Sequence, residues 1–330
     1  MVLQKPAGIE SSPLALQDRT PPEPGPGQVR LRVICCGLCH TDLHVIEGDL
    51  PAPRLPLIPG HQVVGTIDVL GEGATGYAVG ERAGIAWLRW TDGTCKYCLA
   101  GQENLCERAQ FTGYTADGGY AEYAVAPSAF VYKLPSDAPA LELAPLLCAG
   151  IIGFRALKLS GAVDGDRLGL YGFGGSAHLT LQVARARGCE VLVFTRSPEH
   201  QSLARELGAV WAGTADDEPP SALDAAISFA PVGSLVPAAL RHLRPGGTLA
   251  LAGVTMSDIP SIPYELLYRE RVIRSVANNT REDAQELLRL AAEIPLRSEV
   301  ETFRLEQANV ALQALKASRL RAAGVLVVSG

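Results

Sequence analysis

The sequence predicts an α/β protein of two domains, one β-rich and one built as a doubly wound parallel sheet. Three observations predict it. The chain has 330 residues, roughly the length of two ordinary domains. Its first half reads as short strands and Pro/Gly-rich loops with few helical signals. From near residue 145 the pattern alternates strand and helix, the signature of βαβ units and a parallel sheet.

In the first half, PPEPGPGQ (21–28) is a turn region and VRLRVICC (29–36) alternates as a strand. QVVGTIDVLG (62–71) is a second β-rich run, and GGYAEYAVAP (118–127) alternates again. In the second half, DRLGLYG (166–172) is a short apolar strand, and SAHLTLQVARARG (176–188) has helical spacing and ends in glycine. CEVLVF (189–194) is a strand and HQSLARELG (200–208) a helix. LDAAISFA (223–230) and GTLALAGV (247–254) are strands, separated by a helix in SLVPAALRHLRPGG (234–247) that Pro and Gly stop. REDAQELLRLAAEI (281–294) and LEQANVALQALKAS (305–318) are amphipathic helices, and GVLVVSG (324–330) is a last strand.

An apolar share of 47% with 19% charged residues excludes a disordered chain. Twenty-nine basic against 35 acidic residues give a net charge of -6 with no basic stripe, so nucleic acid is not an expected partner. No apolar run approaches the roughly 20 residues that span a bilayer, so no membrane partner is expected. The N-terminal MVLQKPAGIESSPLAL lacks a signal-peptide pattern, which makes the cytoplasm the expected compartment. Cysteines at short spacings in a reducing compartment bind metal or do chemistry more often than they pair.

The strand at 166–172 runs into Gly172-Phe173-Gly174-Gly175-Ser176-Ala177, and a helix follows at once. This is GxGxxA in the context of a dinucleotide-binding turn. The first Gly permits the tight turn, the second lets backbone approach a pyrophosphate, and the small Ala177 lets helix and strand pack closely. The helix N-terminus then faces the anion. The second domain is therefore expected to be of Rossmann type. About 20 residues on, an acid usually receives the ribose 2′-hydroxyl of NAD. Here the second strand ends Phe194-Thr195-Arg196-Ser197, with no acid. Thr195, Arg196 and Ser197 suit a 2′-phosphate, so the expected cofactor is NADP(H), with NAD(H) the alternative.

Six of the eight cysteines cluster. Cys95-Lys96-Tyr97-Cys98 with Cys106 has a zinc spacing. Asp92 stands three residues before Cys95, where a cysteine would complete the regular series, and an Asp/Cys₃ structural zinc site is the reading. The other cluster joins Cys39-His40-Thr41-Asp42-Leu43-His44 to Pro59-Gly60-His61, with Cys148 far downstream. Two cysteines and one histidine leave one zinc coordination position open. Cys35, Cys36 and Cys189 are read as small apolar strand residues, and His200 and His242 as surface residues.

The chain resembles the zinc-dependent alcohol dehydrogenases of the medium-chain dehydrogenase/reductase superfamily. The matching segments are CGLCHTDLHVIEGDLP (36–51), IPGHQVVG (58–65), CKYCLAGQENLC (95–106), GGYAEY (118–123), LLCAGI (146–151) and YGFGGSAH (171–178). The resemblance implies a GroES-like catalytic domain at 1–148 with 275–330, holding both zinc sites, and a Rossmann dinucleotide-binding domain at 149–274. It implies Cys39, His61 and Cys148 as catalytic zinc ligands, Thr41 and His44 as a proton relay, and Asp42 as the partner that orients His61. It places His40 near the cofactor pyrophosphate and Trp87 and Leu50 at the substrate pocket. Two positions depart from the family: Asp92 replaces the first structural cysteine, and Gln62 replaces a glutamate that follows the ligating histidine in many members.

The implied activity is reversible hydride transfer between a primary alcohol/aldehyde pair, aliphatic or aromatic, and NAD(P). The implied assembly is a homodimer or homotetramer. A quinone or alkene reductase of the zinc-independent type keeps the fold but lacks the Cys39, His61 and Cys148 set. A non-catalytic zinc- and nucleotide-binding protein draws support only from Gln62 and Asp92.

Overall fold

The alternation in VRLRVICC becomes the strand Gln28–Gly37, whose Val29, Leu31 and Val33 are fully buried. The computed structural model describes residues 1–328, so the last two residues of the expected strand 324–330 lie outside it. Packing divides the chain into two units. One is Met1–Cys148 with Asn279–Leu288 and Ser298 onward; the other is Ala149–Asn278 with Arg289–Arg297. Residues 275–278 and 289–297, expected with the first domain, thus group with the second. The strand Val272–Ser275 belongs to the second unit's sheet, and Gln182 on the helix Gly175–Ala186 bonds both backbone N–H and C=O of Arg297 at 2.9 Å.

The first unit holds a seven-stranded sheet. Its order is Val300–Arg304, Ala323–Val327, Gln28–Gly37, Gln62–Leu70, Arg82–Ile85 and Val131–Lys133, and Tyr123–Pro127 also pairs with Gln28–Gly37. Helix Ala308–Lys316 buries Leu312 and Leu315 in the same core as Val29, Leu31, Val63 and Ile67. Of the expected strand 118–127, only Tyr123–Pro127 forms. Gly118 and Gly119 instead press against the loop before His61. A Cβ on Gly118 would lie 2.0 Å from the Gly60 carbonyl oxygen, and one on Gly119 would lie 2.3 Å from Val63.

The sequence reading missed the helix His40–Glu47. It is fixed by a capping box in which Cys39 supplies the capping side chain and Asp42 bonds back to the Cys39 N–H. Cysteine is not among the usual capping residues, which is why the start signal was invisible.

The second unit carries a six-stranded sheet in the order Trp211–Gly213, Glu190–Phe194, Arg167–Tyr171, Leu223–Ser228, Leu243–Leu251 and Val272–Ser275. Every neighbouring pair is parallel. In chain order this is 3-2-1-4-5-6, the doubly wound order with its switch point beside the first strand. The helix expected across 234–247 is shorter, Leu235–His242, because Leu243 already enters a strand. His242, expected at the surface, is buried. Its Nδ1 meets the Tyr171 hydroxyl at 2.7 Å, and its ring stacks on Phe194. Cys35 and Cys36 are buried on strand Gln28–Gly37 as expected, whereas Cys189 is buried just before strand Glu190–Phe194. No single helix among the described residues is long and apolar enough to cross a membrane.

The lobe bearing Cys95, Cys98 and Cys106 is tied to the first turn of helix Arg281–Glu293. Glu103 Oε1 accepts from the Arg281 backbone N–H at 2.7 Å and from its Nε at 3.0 Å, and Oε2 accepts from Nη2 at 2.7 Å. The guanidinium also lies 4.4 Å over the Phe130 ring. Glu103 is largely buried, so its charge is held by these donors. Replacing Glu103 by Ala is expected to cost about 2 kcal/mol of stability, read as a lowered denaturant midpoint with an unchanged transition slope.

Candidate active site

Three elements of the first unit bring Cys39, His61 and Cys148 together. Cys39 ends the run from strand Gln28–Gly37 and caps helix His40–Glu47. His61 opens strand Gln62–Leu70 after Gly60, whose φ of +95° is a glycine conformation. Cys148 closes the 3-10 turn Ala144–Leu147. One ligand atom from each lies within 4.8 Å of the others, and the two sulfurs are 3.9 Å apart.

His61 is fully buried. Its Nδ1 meets Asp42 Oδ1 at 3.0 Å, while its Nε2 is buried with no hydrogen-bond partner among the described residues. Such an orphan costs about 1–3 kcal/mol. In the neutral ring, an Nδ1–H donated to Asp42 leaves the Nε2 lone pair to a metal, the arrangement of a metal-binding histidine. Burial opposes charge on the imidazole, but the Asp42 carboxylate and the Cys39 sulfur outweigh it and push its pKa up to about 10. The hydrogen bond with Cys148 holds the Cys39 thiol well below its usual value, against burial. The same bond and burial hold Cys148 well above. Two sulfurs and a lone imidazole nitrogen in a buried space are the donors that zinc prefers.

Thr41 is buried in the first turn of the helix, and its hydroxyl lies 3.6 Å from Cys39 Sγ. His44 lies three residues on, half-buried, with Nδ1 3.1 Å from Asp49 Oδ2, a partner the sequence reading did not name. His40 is exposed at the helix start. Gln62 is buried, and its Nε2 donates to the Leu38 carbonyl at 2.9 Å. This commits the amide to holding the backbone next to Cys39.

Trp87 sets its ring edge-on to His61, with centroids 5.0 Å apart at 73°. Behind it, Phe111 stacks at 5.0 Å and Tyr114 at 5.8 Å, both at 21°. These two rings escaped the sequence reading because they reach Trp87 from strand Gln110–Phe111 and the turn after it, more than 20 residues away. Tyr114 Oη donates to the Pro51 carbonyl, next to Leu50, whose own N–H bonds the His44 carbonyl.

In the second unit, Gly172 follows strand Arg167–Tyr171 with φ +86°. A Cβ there would lie 2.9 Å from the Ala230 nitrogen. Gly174 caps helix Gly175–Ala186, and a Cβ on it would meet nothing within 4 Å. That open cradle at a helix N-terminus, beside Gly175 and Ser176, fits a pyrophosphate. Ala177 is fully buried, as close helix packing requires. At the end of the second strand, Thr195 N–H bonds the Gly213 carbonyl and Arg196 is exposed. Ser197 caps the next helix, accepting from His200 N–H at 3.2 Å and donating to Glu199 at 2.7 Å.

The other cluster joins Asp92, Cys95, Cys98 and Cys106, again with ligand atoms within 4.8 Å. Asp92 Oδ1 accepts from the Thr94 and Cys95 N–H groups at 2.8 Å, and Oδ2 pairs with Arg108 Nε at 3.0 Å. The two backbone donors, with smaller help from Arg108 and Cys98, hold its carboxyl well below the usual range.

Comparison with known proteins decides the family. Residues 25–136 match the alcohol dehydrogenase GroES-like domain and residues 175–293 the zinc-binding dehydrogenase domain. The chain is 49% identical over 332 residues to the probable alcohol dehydrogenase AdhA of Mycobacterium tuberculosis, covering 99% of this chain and 96% of that one. The chain belongs to the alcohol dehydrogenases of the medium-chain dehydrogenase/reductase superfamily. An alcohol dehydrogenase of Geobacillus stearothermophilus is 39% identical over 309 residues, 91% of each chain. The solved structure of a Sorghum bicolor cinnamyl alcohol dehydrogenase aligns with a TM-score of 0.91 at 27% identity, covering 100% of this chain and 98% of that one. The GroES-like plus Rossmann fold and alcohol dehydrogenase chemistry follow from that membership.

One histidine of this alcohol dehydrogenase is bonded to the glycine turn itself. His178 is fully buried, and its Nδ1 lies 3.2 Å from the Gly174 carbonyl. Burial lowers its pKa from 6.5 to about 4, against hydrogen bonds to Gly174 and Gly175. The folded chain therefore resists protonating it while the unfolded chain does not. Stability is lost as pH falls through the window from about 6.5 to about 4. The expected loss is about 3 kcal/mol, and His178→Gln is expected to remove that part of the pH dependence in urea-unfolding midpoints.

Proposed function

We propose that this alcohol dehydrogenase carries a catalytic zinc ion on Cys39, His61 and Cys148 and interconverts primary alcohols, aliphatic or aromatic, with their aldehydes, using NADP(H) in preference to NAD(H). The observation that carries the reading is the partnerless, buried His61 Nε2 beside two sulfurs. Zinc held there supplies a Lewis acid with one open position, which acidifies a hydroxyl. The Thr41 hydroxyl takes the substrate proton at Oγ1 as it releases its own towards His44, which passes a proton to solvent. Support for this relay is their spacing on one helix face, the burial of Thr41 and the partial exposure of His44, whose ring Asp49 orients. Trp87, Phe111 and Tyr114 present a flat apolar wall, with Leu50 beyond it, and keep water from the reacting carbon. Asp42 orients His61, and Gln62 holds the Leu38–Cys39 backbone.

The nucleotide pyrophosphate is assigned to Gly172, Gly174, Gly175, Ser176 and Ala177, and His40, exposed at its helix start, is assigned to the same cofactor. The NADP(H) preference rests on the missing acid and on Arg196. Ser197 is engaged in capping and in the bond to Glu199, so Arg196 and Thr195 are the groups left for a 2′-phosphate. A second, structural zinc is assigned to Asp92, Cys95, Cys98 and Cys106. The eight free cysteines suit the cytoplasm. The edge strand Val272–Ser275, mostly exposed, is the assigned contact of a homodimer or homotetramer.

The test is nicotinamide absorbance during oxidation of benzyl alcohol and 1-butanol, with NAD and NADP in parallel. Chelator-sensitive turnover, faster with NADP, is expected. Cys39→Ala or His61→Ala is expected to abolish turnover while the nucleotide still binds, and full activity in either would sink the assignment. His44→Gln is expected to slow turnover near neutral pH by about tenfold and to recover at alkaline pH. An unchanged pH profile would remove His44 from the relay.

A further inference from the structure

We infer that Tyr120 is a positioning residue for the catalytic ligands, acting through its hydroxyl on the carboxylate that orients His61. The inference rests on the reading of Cys39, His61 and Cys148 as the metal site.

Asp42 divides its two oxygens. Oδ1 faces His61 Nδ1 at 3.0 Å. Oδ2 accepts two donors, the Cys39 backbone N–H at 2.9 Å and the Tyr120 hydroxyl at 3.0 Å. The carboxylate is 1% exposed and Tyr120 is 0% exposed, so no solvent stands ready to replace a lost donor. A buried carboxylate keeps its charge and its orientation only through such donors. Without the hydroxyl, one backbone N–H is left to hold Oδ2, and the plane of the carboxylate that sets the His61 ring is free to turn. Partners bonded directly to a metal-binding histidine change metal affinity about 10- to 100-fold, and Tyr120 acts one bond further out, through Asp42.

The rest of Tyr120 is built into the same loop. Its backbone N–H bonds the Pro59 carbonyl at 3.0 Å, and Gly119 N–H bonds the Gly60 carbonyl at 2.9 Å. The ring lies against Gly60 so closely that a Cβ there would stand 2.3 Å from a ring carbon. Gly60 is thus required twice, by its φ and by the ring. These contacts involve the ring and backbone, which phenylalanine would keep. Only the hydroxyl reaches Asp42, so its removal separates positioning from packing.

The test is Tyr120→Phe in the full-length chain. Zinc affinity of the catalytic site is measured by competition with a chromogenic chelator, with Cys39→Ala defining the signal of the second cluster. The unfolding midpoint, kcat and KM are measured alongside. Zinc affinity is expected to fall about tenfold, and kcat to fall while the KM for nucleotide stays. In an Asp42→Asn background, Tyr120→Phe is expected to add no further loss, because the coupling runs through that carboxylate. Unchanged zinc affinity in Tyr120→Phe, or an equal loss in both backgrounds, would overturn the proposal. Parent protein that binds no more zinc than Cys39→Ala would instead overturn the metal reading, and this proposal with it.

Discussion

Asp42 is the point on which the first unit's chemistry turns. Its carboxylate is buried, which is costly unless every oxygen is occupied, and its donors come from its own helix start and from two distant parts of the chain. Cys39 N–H comes from the start of its own helix, His61 from the turn before the next strand, and Tyr120 from the loop past residue 118. The same carboxylate therefore caps a helix, sets an imidazole and anchors a loop. The two glycines before Tyr120 and the one before His61 are consequences, since the backbones must approach within contact distance to bring those donors in.

The second unit depends on a different constraint, the parallel order of its strands. A 3-2-1-4-5-6 arrangement sends the connections leaving the adjacent first and fourth strands to opposite sides, which opens a crevice at their carboxyl ends. Gly172 and Gly174 stand there, one shaped by its left-handed φ and its approach to Ala230, the other facing open space. Tyr171, the residue just before them, is locked by His242 and stacked on Phe194 at 4.3 Å. The turn is thus carried on a rigid strand end.

Much of this was legible in the residues. Glycine spacing after an apolar strand names a phosphate turn because few other residues tolerate those backbone positions. Strand and helix alternation names the sheet. Cysteines at zinc spacing name themselves by residue type. What stayed hidden was geometry made by long-range contacts. Helix His40–Glu47 begins on a cysteine cap that no propensity rule favours. Tyr120 looked like one residue of an alternating strand, yet its loop turns it inward to Asp42. Phe111, Tyr114 and Asp49 carry no spacing signal linking them to Trp87 or His44. His242 read as polar and exposed because its hydroxyl partner, Tyr171, lies 71 residues away.

The carboxylate at Asp92 changes what oxidants do to its lobe. Four cysteines close into two disulfides and leave nothing behind. Here three thiols share the space with Asp92, so oxidation of any pair strands the third. Cys95 and Cys98 have sulfurs 3.6 Å apart, and when they pair Cys106 is the leftover thiol, its sulfur within 4.8 Å of both. A thiolate beside a disulfide attacks it through exchange, so the lobe retains an internal route for moving its own crosslink from one cysteine pair to another, one thiolate released for each one taken up, that an all-cysteine lobe, fully paired, would lack.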